Sequence, residues 1–349
     1  MKTLYKIIPV LLLIFILPPK KSSGSDDYTK VIHKEYAINR DAQVNLENKF
    51  GKIHCNNWDK NVISLDISIT VTASSEEAAK KLFARATIVT SGTPTQVDAK
   101  TIFEKESSFG RSKITIDYTV NMPPTVNLNL TNKFGDVYIN ELTGKGNLNV
   151  AYGNMEINKL SNSDNVIEVN FGKADIQSIS GAMLTLKYSD LKLDYAGSLF
   201  VDSKFSDINA KKIISLSATV EGGNLNVETS SAITVKSKFS DVKFGHLDKK
   251  ADIEIQYGDF DLNDLSPDFT AITIHNKYGD VKVPVPAGAN YSLDAEVKFC
   301  DIDFPEKLSN ITEQISTNTS KSIKATVGKN PNPEAKVYVR SEFGDVTLK

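Results

Sequence analysis

Asn276-Lys277-Tyr278-Gly279-Asp280-Val281-Lys282-Val283 is the stretch on which the fold turns, because versions of it recur from Phe50 to the closing Phe343-Gly344-Asp345-Val346-Thr347-Leu348-Lys349. With the aromatic residue as reference, the later series runs Phe134, Tyr152, Phe171, Tyr188, Phe205, Phe239, Tyr257, Tyr278, Phe299 and Phe343, and Gly222 stands once in the same place. The intervals are 17 to 21 residues until a last one of 44. A period of this size marks a repeat architecture, in which units bury their apolar faces by stacking on one another. The long final interval, Pro305 to Lys336, reads as a degenerate rung with a long loop.

Parity within a unit sets the architecture. Before the aromatic, apolar residues share its parity: Leu148 and Val150 ahead of Tyr152, Ile167 and Val169 ahead of Phe171, Ile253 and Ile255 ahead of Tyr257. After it the phase moves by three, to Met155 and Ile157, Ala174 and Ile176, Phe260 and Leu262, Val281 and Val283. A one-residue slip normally turns every side chain of a strand to the other face. A slip repeated at one place in every unit is therefore a corner or bulge that lets both flanking strands face one interior. A further apolar residue eight positions on, as at Leu142, Leu160, Ile179, Ile213, Leu247 and Leu265, fills a third side. By this parity the aromatic points inward, Gly279 keeps the bend narrow, and Lys277 and Asp280 line the outside. The expected fold is all-β: a single-stranded β-solenoid, β-helix-like, of about ten short coils. A sandwich of meandering hairpins fits less well, since every unit repeats in one sense.

Residues 56–122 interrupt the repeats. Ile63, Leu65, Ile67, Ile69 and Val71 alternate with polar residues as a half-buried strand does. Ser74-Ser75-Glu76-Glu77 has capping-box spacing, with Ser74 as the expected cap, and predicts a short helix with Ala78, Ala79, Leu82, Phe83 and Ala86 on its packed face. Strand-like runs at 86–90, 96–103 and 113–120 flank turn signals at 91–94 and 107–111. The segment reads as a small β/α insertion that covers the open end of the stack. The expected domains are 1–24, a signal peptide; 25–122, a lead-in, first repeat and β/α capping insertion; and 123–349, the β-solenoid repeats.

The signal peptide rests on Lys2 and Lys6 before the apolar run Ile7–Leu17, then Pro18, Pro19 and the small residues Ser22, Ser23 and Gly24. The run is too short to span a bilayer, so the mature chain is expected to have no transmembrane segment. Cleavage after Gly24 would remove four lysines and leave a net charge of about −6, from −2 for the whole chain. The expected address is exported, in the periplasm or at the cell surface. Two cysteines are too few to hold an exported protein together by disulfides. Cys55 reads as an inward core residue and Cys300 as a small corner residue, a place taken by Ser189, Ser206 and Ser240 in other units.

The repeated acid is the sharpest candidate for chemistry. Asp136, Asn154, Asp190, Asp207, Asn224, Asp241, Asp259, Asp280, Asp301 and Asp345 would form a ladder of oxygens, and a calcium column is one reading. Calcium-binding nonapeptides of the Gly-Gly-x-Gly-x-Asp type are absent, so the preferred reading is a turn residue bonded to local backbone. Lys133, Lys187, Lys204, Lys238, Lys277 and Lys298, three positions earlier, would relieve the repulsion between acids. His33, His54, His246 and His275 are scattered, and no zinc spacing, nucleophile elbow or phosphate loop occurs. No catalytic residue, metal site or cofactor is therefore assigned, and the ligand-binding residues stay unknown. A near-neutral composition does not favour nucleic acid.

The repeated Lys-Phe/Tyr-Gly-Asp-apolar-x-apolar unit, led by Asn56-Asn57-Trp58-Asp59-Lys60-Asn61-Val62 and the strand-helix insertion, resembles the bacterial family called "putative adhesins", exported β-repeat proteins with a domain of unknown function. The resemblance covers roughly residues 40–349. It implies an envelope-located β-solenoid-like domain and transfers no catalytic residue. The expected function is a non-enzymatic adhesin-like module, binding or structural, of the bacterial cell envelope, whose partner is an unidentified envelope protein or glycan. A polysaccharide-active β-helix enzyme and a periplasmic partner in envelope signalling are the alternatives.

Overall fold

The computed structural model describes residues 25–104 and 114–349; the expected signal peptide and the turn at 107–111 lie outside them. Almost every element is a β-strand, with one α-helix, Glu76–Phe83, and one 3-10 turn, Glu306–Leu308, among the described residues. The chain divides into two compact units, the first ending at Lys159 and the second running from Leu160 to Lys349.

In the first unit, strand Gln43–Lys49 lies between Gln96–Phe103 and Asn127–Lys133, parallel to both. Strand Ile53–Asn57 lies in the same way between Ile114–Met122 and Val137–Leu142. The insertion thus returns to supply a rung beside the first repeat. Its remaining strands turn antiparallel: Val62–Ala73 pairs with Asp26–Ala37 and with Ile114–Met122, and Ala86–Gly92 pairs with Gln96–Phe103. The helix starts one residue later than the capping box suggests. Ser75 is the N-cap, its Oγ accepting from the Ala78 amide at 3.2 Å. Ala78, Ala79, Leu82 and Phe83 pack on Val71 and Ala73, as the apolar face requires.

The second unit is the solenoid in its plainest form. Strands Lys173–Lys187, Asp190–Lys204, Ile208–Glu221, Leu225–Lys238 and Val242–Gln256 follow one another in parallel register. In each, the inward residues change phase around the position eight after the aromatic, as at Leu191, Leu193, Ala196, Leu199 and Val201, all buried. The inward sets expected from parity are buried as well, and each such side chain contributes about 1.5–3 kcal/mol on burial.

The last coils do not stack in chain order. Strand Ala335–Glu342 inserts between Ala271–Lys277 and Tyr291–Lys298, parallel to both. The expected loop of the final interval is instead an antiparallel hairpin, Ser309–Ser316 with Ser320–Val327, whose second strand pairs antiparallel with Tyr291–Lys298. The hairpin lets the chain turn back and place its terminal repeat one rung inward.

The corner corrects the parity reading. Phe50 and the ten later reference aromatics all have positive φ, between 51° and 66°, and they are the only non-glycine residues with positive φ among the described residues. A left-handed residue turns the chain without taking part in strand alternation, so its side chain leaves the interior. The rings from Phe134 onward are exposed, from 40% at Phe134 and Tyr278 to 59% at Phe299, and Phe50 is half-buried. The core corner is filled instead two residues earlier, by Val150, Val169, Leu186 and Ile255 or by the buried polar residues Asn48, Asn132, Ser237, Asn276 and Ser341. Asn132 Nδ2 donates to the carbonyls of Gly51 and Gly135 at 2.9 and 2.8 Å, and Asn276 Nδ2 donates to Gly279 O, so the amide ties the corner down from inside.

The residue after the aromatic is small for a steric reason. A Cβ on Gly279 would sit well inside contact distance of the Gly258 carbonyl, and one on Gly344 would meet the Gly279 carbonyl in the same way. Gly279→Ala should therefore lower stability by about 1–3 kcal/mol through forced separation of coils. Urea unfolding with unchanged far-UV circular dichroism at zero denaturant would check this; an unchanged midpoint would contradict it.

Candidate functional surface

The corners project two side-chain rows in each unit. The first is a stack of aromatic rings. In the first unit Phe134 stacks on Phe50 and on Tyr152, at centroid distances of 5.2 and 4.9 Å, and Phe103 closes the row edge-on against Phe50 at 5.4 Å. In the second unit Phe171, Tyr188 and Phe205 stack at 5.1 and 5.2 Å. Beyond Gly222, the rings of Phe239, Tyr257, Tyr278, Phe343 and Phe299 continue at 4.8 to 5.0 Å with planes within 13° of parallel. The spacing is the strand spacing of about 4.8 Å, so the rings stack because the coils do. Each pair contributes about 0.5–1.5 kcal/mol beyond its area, which offsets a left-handed backbone costing about 1–2 kcal/mol per residue.

Lysines lie over this row. Lys49, Lys133, Lys238 and Lys277 hold their ammonium groups 5.1 to 5.4 Å from the centroid of the following ring. The lysines expected to neutralise the acid ladder do not meet it: Lys187 pairs with Glu168, Lys204 with Glu221, Lys277 with Glu342 and Lys298 with Glu296. The Glu342 carboxylate raises the pKa of Lys277.

The second row is the acid ladder, and its bonding differs from the expected local turn. Six of its carboxylates, those of Asp136, Asp207, Asp241, Asp259, Asp280 and Asp345, accept from the backbone amide of the equivalent residue one coil away. Asp136 takes the Asn154 amide at 2.8 Å and Asp207 that of Asn224 at 2.8 Å. In the last coils the chain of donations runs from Asp259 to Asp241 at 3.1 Å, Asp280 to Asp259 at 2.8 Å, Asp345 to Asp280 at 2.9 Å and Asp301 to Asp345 at 2.8 Å. One oxygen of each of these acids is therefore engaged in holding coils together. Where serine replaces glycine, Ser206 Oγ accepts from the Ser189 amide at 2.9 Å and donates to Lys204 O at 2.9 Å, a second way to satisfy the corner.

Two shallow grooves lie on the strands that lead into the second unit's corners. One of about 460 Å³ is bounded by Glu254, His275, Lys277, Arg340 and Glu342, and one of about 420 Å³ by Glu221, Lys236, Lys238, Glu254 and Gln256. Their walls carry both charge signs.

The other singled-out residues are accounted for locally. Cys55 and Cys300 are free; burial pushes the Cys55 thiol up to about 12, and Cys300 Sγ rests at the corner against Lys298 O. His54 stacks on Tyr138 at 4.4 Å, and His33 meets Asp66 at 2.6 Å. His246 lies between Asp264, 2.6 Å from Nδ1, and Asp248, 2.9 Å from Nε2. The hydrogen bond to Asp264 raises its pKa, with Asp248 adding to the effect and partial desolvation opposing it. Among the described residues, no group of three or more His, Cys, Asp or Glu is placed to hold a metal ion, and no helix is long and apolar enough to cross a membrane.

Residues 190–349 match the Toastrack DUF4097 family. The matched segment contains the parallel coils from strand Asp190–Lys204 onward, the Gly222 corner and the terminal hairpin. Among solved structures, a "putative adhesin" from Bacteroides fragilis is 15% identical, covering 68% of this chain and 95% of its own, with a TM-score of 0.34. A "putative adhesin" from Parabacteroides distasonis is 8% identical over 92% of this chain and 97% of its own, with a TM-score of 0.36. A "putative lipid binding protein" from the same species is 13% identical over 70% and 97%, with a TM-score of 0.27. No curated protein sequence matches the chain.

Two measurements test this surface. Asp280→Ala strands the Asp345 amide and should cost about 1 kcal/mol in urea unfolding, whereas Asp280→Asn, which keeps an acceptor oxygen, should cost less than half of that; equal losses would contradict the inter-coil role. For His246, a folded pKa above the ordinary 6.5 means protonation stabilises the fold. That contribution is complete below the unfolded value and fades as pH rises through the folded one. A histidine NMR titration should give a midpoint above 6.5, and His246→Gln should flatten the fall in unfolding midpoint between about pH 6 and pH 8.

Proposed function

We propose that the protein is an exported, non-enzymatic β-solenoid that acts as an adhesin-like binding or structural module of the bacterial cell envelope. The observation that carries this reading is the stacked row of exposed aromatic rings flanked by lysines. A long apolar stripe on a solvent-facing corner favours association, because rings left in water gain about 25 cal/mol per Å² when covered. The acids beside the row are engaged in coil-to-coil hydrogen bonds, which favours a scaffold over a hydrolase needing a free acid-base pair. In this reading residues 1–24 are a cleaved signal peptide, residues 25–122 form the lead-in and capping insertion, and residues 123–349 are the solenoid that presents the row. The partner is an envelope protein or glycan.

Cell fractionation with N-terminal sequencing of the mature chain tests the address: the product should begin near Ser25 and leave the cytoplasm, and a cytoplasmic, unprocessed chain would overturn it. A polysaccharide depolymerisation screen run beside a glycan array tests the chemistry, and released oligosaccharide would overturn the non-enzymatic reading.

A further inference from the structure

Within the second unit's row, ring faces are covered by ring faces, so a ligand meets edges along most of its length. The exception is the coil of Gly222. The register places Glu221 beside Lys204 on one side and beside Lys238 on the other, so Gly222 occupies the rung between Phe205 and Phe239. The corner hydrogen bonds agree: the Phe205 amide donates to Glu221 O at 2.9 Å and the Gly222 amide to Lys238 O at 3.1 Å. Gly222 keeps the left-handed conformation of the row, with φ at 69°, but carries no side chain.

The consequence is a slot. Two rungs of about 4.8 Å separate the Phe205 and Phe239 backbones, which is the room that every other coil fills with one ring. Phe205 stacks on Tyr188 on its other side, and Phe239 stacks on Tyr257, so each turns one face toward the missing position. Both rings are 56% exposed, against 40–55% for Tyr188, Tyr257 and Tyr278, which are stacked on both faces. Phe205 leans over the glycine, its Cδ1 2.9 Å from where a Cβ would be, so it must swing back toward the pitch of its neighbours for a ring to enter.

A second observation bears on what would enter. The groove of about 420 Å³ bounded by Thr219, Glu221, Lys236, Lys238 and Glu254 adjoins the slot, since Glu221 and Lys238 immediately precede Gly222 and Phe239. It offers anions, cations and a hydroxyl beside an apolar ring-sized space. That combination suits a residue with a flat ring on a polar backbone flanked by charged neighbours.

We propose that the Gly222 slot is a docking site for one phenylalanine or tyrosine side chain of a partner polypeptide, its ring sandwiched between Phe205 and Phe239 and its adjoining chain lying in the Glu221–Lys238 groove. The protein's own repeats supply the argument for the occupant: a Phe or Tyr ring fills the equivalent place in every other coil from Phe134 to Phe343. The proposal rests on the ring row being the binding surface and specifies one point along it.

The test is an amide NMR titration of the isotope-labelled mature chain with an acetylated, amidated Lys-Phe-Glu tripeptide, its Lys-Ala-Glu counterpart and cellohexaose. The expected result is a saturable shift of the Gly222, Gly223 and Phe239 amides with the first probe, at least tenfold weaker with the second. Gly222→Phe, which fills the slot with the chain's own repeat residue, should abolish that shift while its thermal unfolding midpoint stays equal to or above that of the natural chain. Shifts caused by cellohexaose alone, or peptide shifts that survive in a folded Gly222→Phe variant, would overturn the proposal. Saturable peptide shifts centred on Phe299 would overturn the slot while leaving the row as the binding surface.

Discussion

The left-handed corner is the constraint on which the rest depends. Every repeat corner but that of Gly222 is made by a bulky aromatic with φ between 51° and 66°, a conformation such residues normally avoid. It persists because stacking satisfies it from several sides. The ring finds a neighbour at about one strand spacing, the aromatic amide donates to the next coil, and the following acid joins its carboxylate to an equivalent amide. A single coil would keep the strain and lose the contacts, so corner and stack are stable only together.

The same logic explains the composition of the corner. Glycine follows the aromatic where a Cβ would meet the neighbouring coil's carbonyl, and at other corners serine takes the place and bonds its Oγ to the corner backbone. Asparagine or serine two residues before it is buried where it can reach the corner carbonyls, as Asn132 and Asn276 do. Lysine immediately before the aromatic reaches over the ring and pairs with glutamates on adjacent strands. A row of charged and aromatic residues that looks like a ligand signature is first a structural device, and its surface value comes from what the device leaves exposed.

Much of the architecture could be read from spacing. The period, the inward residues on both sides of the corner, the third apolar position eight residues on and the β/α insertion follow from hydrophobic parity, which depends only on local chain geometry. The direction of the aromatic did not follow, although the signal was present. A phase change of three means that one residue belongs to neither strand, and a residue outside the alternation need not point inward. The ring's place between Lys277 and Asp280 hinted at the same outcome. The partner of each carboxylate was hidden for another reason: its amide belongs to a residue 17 to 65 positions away, which local turn preferences cannot reveal.

By itself, then, the sequence of repeated apolar positions determined that the chain would form parallel coils with a narrow corner, because burial in each unit is set by neighbours within a few residues. Only the tertiary structure decided which side chains the corner presents and in what spatial order the coils lie. Phe343 stacks between Tyr278 and Phe299, out of chain order, because the hairpin after Phe304 turns the chain back and its returning strand pairs in register on both sides. Gly222 likewise reads as one lapse in a repeat, and becomes a slot only when the coils on either side bring Phe205 and Phe239 to face it.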